Sequence, residues 1–300
     1  MTAGASVGQS AAAVGDKAAP LLDARGVTMR FGGLVAVRDV DLAVGEGEVV
    51  GLIGPNGAGK TTFFNCLTGL YTPTAGNVTY RGAPLPSAPH KVTQAGVART
   101  FQNIRLFHNM TALENVQVGS HTRTRVGLLS AIARTPAFHR EEKASTHKAR
   151  DLLTFVGMPG AGGVLARNLP YGDQRRLEIA RALASDPGLL LLDEPTAGMN
   201  PQETRDARDL VLRIRDRGLA VVVIEHDVRF VFSSCSRVAV LVQGQKLVEG
   251  LPADVQRDER VVAAYLGTPT EHDAADEEVQ EVTAAEARHA GDHRGTEGTP

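Results

Sequence analysis

Three hundred residues, 42% of them hydrophobic, are enough to bury one full α/β core with flanking segments to spare. A formal net charge of -2 and an aromatic content of 4% give no sign of a nucleic-acid surface, and the longest apolar runs fall far short of the roughly 20 residues that span a bilayer. Cys66 and Cys235 form no CxxC pair and stand near no histidine cluster, so both read as core residues of a chain kept in a reducing compartment.

Residues 1–20 are small and polar, without the charged head and apolar run of a secretion signal, and read as a disordered leader. From Leu22 to Ile53, β-type runs alternate with breaks at Gly32-Gly33 and Gly45-Glu46-Gly47, which predicts a small layer of antiparallel hairpins. The run Glu48 to Ile53 enters a glycine loop, and Phe63, Phe64, Leu67 and Leu70 follow it at helical spacing. Between about residues 105 and 170 strand signals give way to helical ones, with Thr111 and Glu114 as a capping box and Lys148 to Val156 as a helix; this predicts a helical insertion. Strands return at Leu189–Leu192 and Ala220–Ile224. The helix between them has an Asn200 cap, Pro201 in its first turn, Gly218 as its stop, and Ala207, Leu210, Val211 and Ile214 as its buried face. Apolar strands alternating with helices predict a parallel sheet. Val228, Val231, Phe232 and Cys235 mark a further helix face, and Val238–Val242 with Lys246–Val248 a hairpin turning at Gly244. Residues 269–300 hold nine acidic residues and two arginines, hence -7, and are expected to stay disordered while the rest of the chain carries +5.

Gly54, Pro55, Asn56, Gly57, Ala58, Gly59, Lys60 and Thr61 fit the phosphate-loop pattern G-x-x-x-x-G-K-[ST], with Thr62 following, in the required context of a strand before and a helix after. Backbone N–H groups of such a loop close around a β-phosphate, Lys60 supplies charge, and Thr61 offers its hydroxyl to Mg²⁺. Leu189–Leu192 deliver Asp193 and Glu194 to the end of a buried strand, where adjacent carboxylates are costly unless used. Asp193 is placed to hold Mg²⁺ and Glu194 to polarise an attacking water. No guanine-reading NKxD sequence occurs.

Over roughly residues 22–268 this order of motifs resembles the nucleotide-binding domain of the ATP-binding cassette (ABC) family. The resemblance implies a P-loop NTPase fold with an antiparallel β subdomain, a RecA-like α/β core and an α-helical subdomain at about 105–170, hydrolysing ATP with Mg²⁺. It further implies that Gln102 is the Q-loop glutamine at the metal or lytic water, that His226 is the switch histidine at the γ-phosphate, and that Phe31 stacks on adenine. Leu169-Pro170-Tyr171-Gly172-Asp173-Gln174 stands where the family signature binds the ATP of the opposite subunit, with Tyr171 and Gly172 as backbone donors and Pro170 in place of a serine. Ala197-Gly198-Met199-Asn200 replaces a D-loop that more commonly ends in Asp.

Phe31-Gly32-Gly33-Leu34, Leu169 to Arg181, Ala197 to Pro201 and Ala264-Tyr265-Leu266-Gly267 resemble the ATPase subunits of branched-chain amino acid importers. That resemblance implies a peripheral subunit on the cytoplasmic face of the membrane. Its partners would be a paralogous ATPase in a heterodimer, two transmembrane permeases and, indirectly, a periplasmic or lipid-anchored solute-binding protein. Importers of urea, amides or other small solutes, and a soluble non-transport ABC ATPase, are the alternatives.

Overall fold

The computed structural model describes residues 19–120 and 136–266; the expected leader and acidic tail lie outside them, apart from the last residues of the leader. Two sheets organise the chain. Strands β1 (Leu22–Phe31), β2 (Leu34–Val44), β4 (Ala75–Tyr80) and β5 (Ala83–Pro84) form an antiparallel sheet in the order β2-β1-β4-β5. Strands β3 (Val49–Ile53), β6 (Val97–Arg99), β7 (Leu189–Asp193), β8 (Ala220–Ile224), β9 (Arg237–Val242) and β10 (Gln245–Gly250) form the second, in the order β10-β9-β3-β8-β7-β6. All its pairings are parallel except that of β10 with β9.

The expected glycine break at residues 45–47 is therefore not a hairpin: it carries the chain from the antiparallel sheet to β3, which pairs in parallel with β8 and β9. The physical reason is that all five residues of β3 are buried, and such a strand needs cover on both faces.

That cover consists of two cores divided by side-chain alternation. Ile53, Leu190, Leu192, Val221 and Val223 point into one; Leu52, Leu189, Leu191, Val222 and Ile224 point into the other. The first core is closed by helices α3 (Ala112–Ser120), α4 (Pro136–Phe155), α5 (Tyr171–Leu183), α6 (Pro201–Asp216) and α7 (Val228–Ser234). The second is closed by the antiparallel sheet and α1 (Lys60–Leu67), whose Phe63 and Phe64 are fully buried and each stabilise the fold by about 2–3 kcal/mol. Helix α2 (Pro89–Ala95) leads into β6, and α8 (Pro252–Arg257) and α9 (Glu259–Leu266) end the described chain.

The described residues between 105 and 170 hold α3, α4 and two short 3-10 turns, Ala161–Gly163 and Ala166–Asn168, with one isolated bridge between Thr111 and Leu165, and Thr111 and Glu114 exchange the reciprocal bonds of a capping box. Asn200 caps α6 in the same way with Glu203, and the buried face of that helix is Ala207, Leu210, Val211 and Ile214. Two helix faces differ from expectation. Helix α1 stops at Leu67 because Gly69 turns away at φ +67°, which leaves Leu70 exposed. In α7 the buried side chains are Phe230, Val231 and Ser234; Val228 and Phe232 are half-buried, and Cys235 is buried just past the helix end.

Candidate functional site at the ends of the parallel strands

The carboxyl ends of β3, β6, β7 and β8 bring together most of the residues expected to act, as crossover connections in a parallel sheet require. After β3 the loop Gly54 to Gly59 wraps the start of α1. Gly57 and Gly59 take positive φ of 74° and 91°, which a side chain would resist. Gly59 also lies so close to β2 that an added Cβ would stand 2.4 Å from the Ala36 carbonyl oxygen. Gly54 is walled by Leu241, and Gly244 in the β9–β10 turn accepts from Arg38 N–H and donates to the Ala58 carbonyl. Ala58 is buried and Pro55 and Thr62 are half-buried, whereas Asn56, Gly57 and Thr61 face solvent.

Lys60 donates to the carbonyls of Gly54 at 2.7 Å and Pro55 at 2.9 Å, so the loop itself stations the ammonium. Burial pushes that ammonium below the usual lysine range, and the negative charges of Glu194 and Asp193 pull it part of the way back. Glu194 follows β7 with φ +46°, a left-handed conformation that costs a non-glycine residue about 1–3 kcal/mol, and its N–H is held by the Ile224 carbonyl. Its carboxylate accepts from Gln102 Nε2 at 2.9 Å and lies 4.0 Å from His226 Nδ1. Glu194, Gln102, His226 and Lys60 thus converge from four separate segments.

Asp193 is buried and paired with Arg99 at 2.6 Å. Arg99 also donates to Asn65 Oδ1 and Thr68 Oγ1 and lies over the rings of Phe64 and Phe101, so it ties α1, β6 and β7 at one point. The donor set fits a hard cation. Thr61 carries a hydroxyl, Asp193 a carboxylate and Gln102 a side-chain carbonyl, all oxygen donors of the kind that Mg²⁺ takes.

Phe31, 42% exposed, meets the ring of Tyr71 edge-on at 5.3 Å, which leaves it open for a planar ligand. Tyr171 and Gly172 do not join the cluster around Lys60. They form the first turn of α5, where Tyr171 packs on Gly198 and Gly172 on the Glu203 carboxylate. Pro170 is the N-cap of that helix and supplies no side-chain hydrogen bond.

Arg99, Tyr71 and Glu225 were not expected from the sequence. Glu225, fully buried, accepts from Thr196 N–H at 2.8 Å, Thr196 Oγ1 at 2.5 Å and His226 N–H at 3.1 Å, and so ties the residue just before the D-loop segment to the histidine. An acid ending the apolar run Val221–Ile224 was the one available sign.

Comparison with known proteins identifies the family. Residues 37–197 match the ABC transporter family model, and residues 245–270 match that of the branched-chain amino acid ATP-binding cassette transporter. The high-affinity branched-chain amino acid transport ATP-binding protein of Salmonella typhimurium is 45% identical over 83% of this chain and 98% of its own length. Its counterpart in Pseudomonas aeruginosa is 46% identical over the same shares. The crystal structure of an ABC-transporter cassette in its ADP conformation superposes with a TM-score of 0.73 at 29% identity, covering 83% of this chain and all of the other. The chain therefore belongs to the ABC transporter family, as one of its ATP-hydrolysing cassettes.

Proposed function

We propose that this chain powers a branched-chain amino acid importer by binding and hydrolysing ATP at the ends of its parallel strands. The observation that carries the site is the convergence of Lys60, Gln102, Glu194 and His226. The solute class is supported by the identity to branched-chain amino acid transport proteins and by the family match at residues 245–270.

In this reading Phe31 stacks on adenine, and the backbone N–H groups of residues 56–62 with Lys60 hold the phosphates. Thr61, Asp193 and Gln102 would hold Mg²⁺, which would supply neutralisation of the phosphate charge. Glu194 orients and polarises the attacking water, Gln102 keeps that carboxylate in place, and His226 stands ready at the γ-phosphate. Such positioning and charge neutralisation make up most of phosphoryl-transfer catalysis.

Tyr171 and Gly172 open α5 rather than the loop that holds Lys60, which suits a helix start that meets ATP held by a second subunit. Proline at 170 brings neither a hydroxyl nor an N–H to that contact. We therefore propose a heterodimer with a paralogous ATPase whose fuller signature closes over the nucleotide on Lys60. Exposed Met110 and Val164, brought together by backbone bonds between residues 110–112 and 164–166, and Phe107, whose carbonyl accepts from Met110 N–H, offer an apolar contact for one of two permeases at the cytoplasmic face of the membrane. A periplasmic or lipid-anchored solute-binding protein completes the assembly.

The test is Glu194→Gln in the transporter purified with its permeases. Nucleotide should bind with near-wild-type affinity while phosphate release and uptake of labelled leucine both stall. Phosphate release at the wild-type rate would remove Glu194 from the mechanism, and intact hydrolysis driving uptake only of another solute would overturn the substrate class.

A further inference from the structure

Gln102 reaches Glu194 from a segment with no secondary structure of its own, since β6 ends at Arg99 and Thr100 makes the last backbone bond to β7. Among the described residues, every backbone hydrogen bond recorded for residues 101–105 ends on a side chain of α5. Arg175 donates through Nη1 to the Phe101 carbonyl at 2.6 Å and through Nη2 to the Gln102 carbonyl. Glu178 accepts from the N–H groups of Phe101 and Arg105, each at 3.4 Å, and Arg181 donates to the Arg105 carbonyl. These three residues are one turn apart and share a face of the helix.

Arg175 and Glu178 are 3% and 1% exposed and lie 3.3 Å apart. A buried pair of this kind adds little to stability over apolar residues of similar size, and here the Arg175 Nε has no partner at all. What the pair does supply is direction. The planar guanidinium fixes two successive carbonyls at once, which a point charge cannot do. Its Nη2 also reaches Tyr171 Oη at 3.2 Å, so the same group touches the first turn of the signature helix.

We infer that Arg175 and Glu178 are positioning residues that clamp the backbone of Gln102 so that its side-chain amide stays against Glu194. This rests on the reading that Gln102 and Glu194 act in hydrolysis, and extends it. A misplacement of about 1 Å at such a contact lowers turnover on the order of 100-fold.

The decisive variant is R175M/E178M, which removes both charges together and so avoids leaving either one buried alone. In the full-length chain its nucleotide affinity should stay near wild type, while the amides of residues 101–105 exchange with deuterium at least about tenfold faster. In the purified transporter kcat should fall about 100-fold with KM for ATP changed less than about threefold. R175K, which keeps the charge but not the fork, should lie between the two and carries the same test if the double variant does not fold. Wild-type turnover in whichever variant folds, or a loss of turnover explained by an equal loss of nucleotide affinity, would overturn the clamp. Glu194→Gln in the same assay separates the failures. If it turns over normally the catalytic reading itself falls, whereas if it stalls while the clamp variants do not, only the clamp falls.

Discussion

Replacing Gly59 and Gly57 by alanine, one at a time, separates the conformational cost of the phosphate loop from its packing cost. Both glycines sit at positive φ, 91° and 74°, so either alanine destabilises by about 1–2 kcal/mol through left-handed strain. An added Cβ at Gly57 meets nothing within 4 Å, and its cost ends there. At Gly59 the Cβ would stand 2.4 Å from the Ala36 carbonyl oxygen and 3.3 Å from Val37 Cγ2. Strand β2 cannot yield freely, because Arg38 N–H is already held by the Gly244 carbonyl, so overpacking adds about 1–3 kcal/mol. Denaturant unfolding of the full-length variants should therefore place Gly59→Ala below Gly57→Ala by about 1–3 kcal/mol. Equal stabilities, or a Gly59→Ala chain as stable as wild type, would refute the view that the loop is wedged against the antiparallel sheet.

Glu225→Gln puts an amide where a carboxylate accepts from Thr196 and His226. A loss of about 1–3 kcal/mol in unfolding free energy is expected, and a change under about 0.5 kcal/mol would show that those donors find other partners. Asn200→Ala removes the acceptor for two N–H groups at the start of α6 and should lower stability by about 1 kcal/mol, seen as a fall of about 2–4 °C in Tm; an unchanged Tm would show that water replaces the cap. Burial raises the thiol pKa of Cys66 to about 11 and that of Cys235 to about 12, so both stay protonated and neutral at pH 8. Mass spectrometry should find neither alkylated by iodoacetamide in the native chain and both alkylated in denaturant; rapid native labelling would contradict the burial.

The parts of the site legible in the sequence are those in which residue type and chemistry coincide locally. Gly57 and Gly59 announce backbone that only glycine adopts readily, Lys60 and Thr61 follow at fixed spacing, and Asp193 and Glu194 are adjacent carboxylates after four leucines. The helix from Pro201 to Asp216 was equally plain, since cap, face and stop all lie within one short stretch. What stayed hidden depends on partners distant in the chain. Arg99 becomes meaningful only beside Asp193, 94 residues away, and Arg175 only beside the carbonyls of Phe101 and Gln102. The sheet to which β3 belongs was hidden for the same reason, because β8 and β9 beside it lie far downstream. The α7 face was misread because Ser234, a small polar residue, turns inward and donates to the Phe230 carbonyl.

The wall behind the phosphate loop is built by residues made late. Leu241 and Gly244 close around Gly54 and Gly59 from roughly 185 positions further along, and β3 has no neighbour until β8 and β9 exist. At about 5–20 residues per second, a ribosome exposes the apolar strand Val49–Ile53 for about 10–40 s before its partners emerge. During that interval the nascent chain offers an unpaired hydrophobic strand of the kind that chaperones cover. Ribosome-bound chains arrested before residue 237 should accordingly fail to bind an ATP analogue that the released full chain binds. Nucleotide binding thus becomes a sign that synthesis has passed the β9–β10 turn, and a chain cut short before it carries the phosphate-loop sequence without the loop.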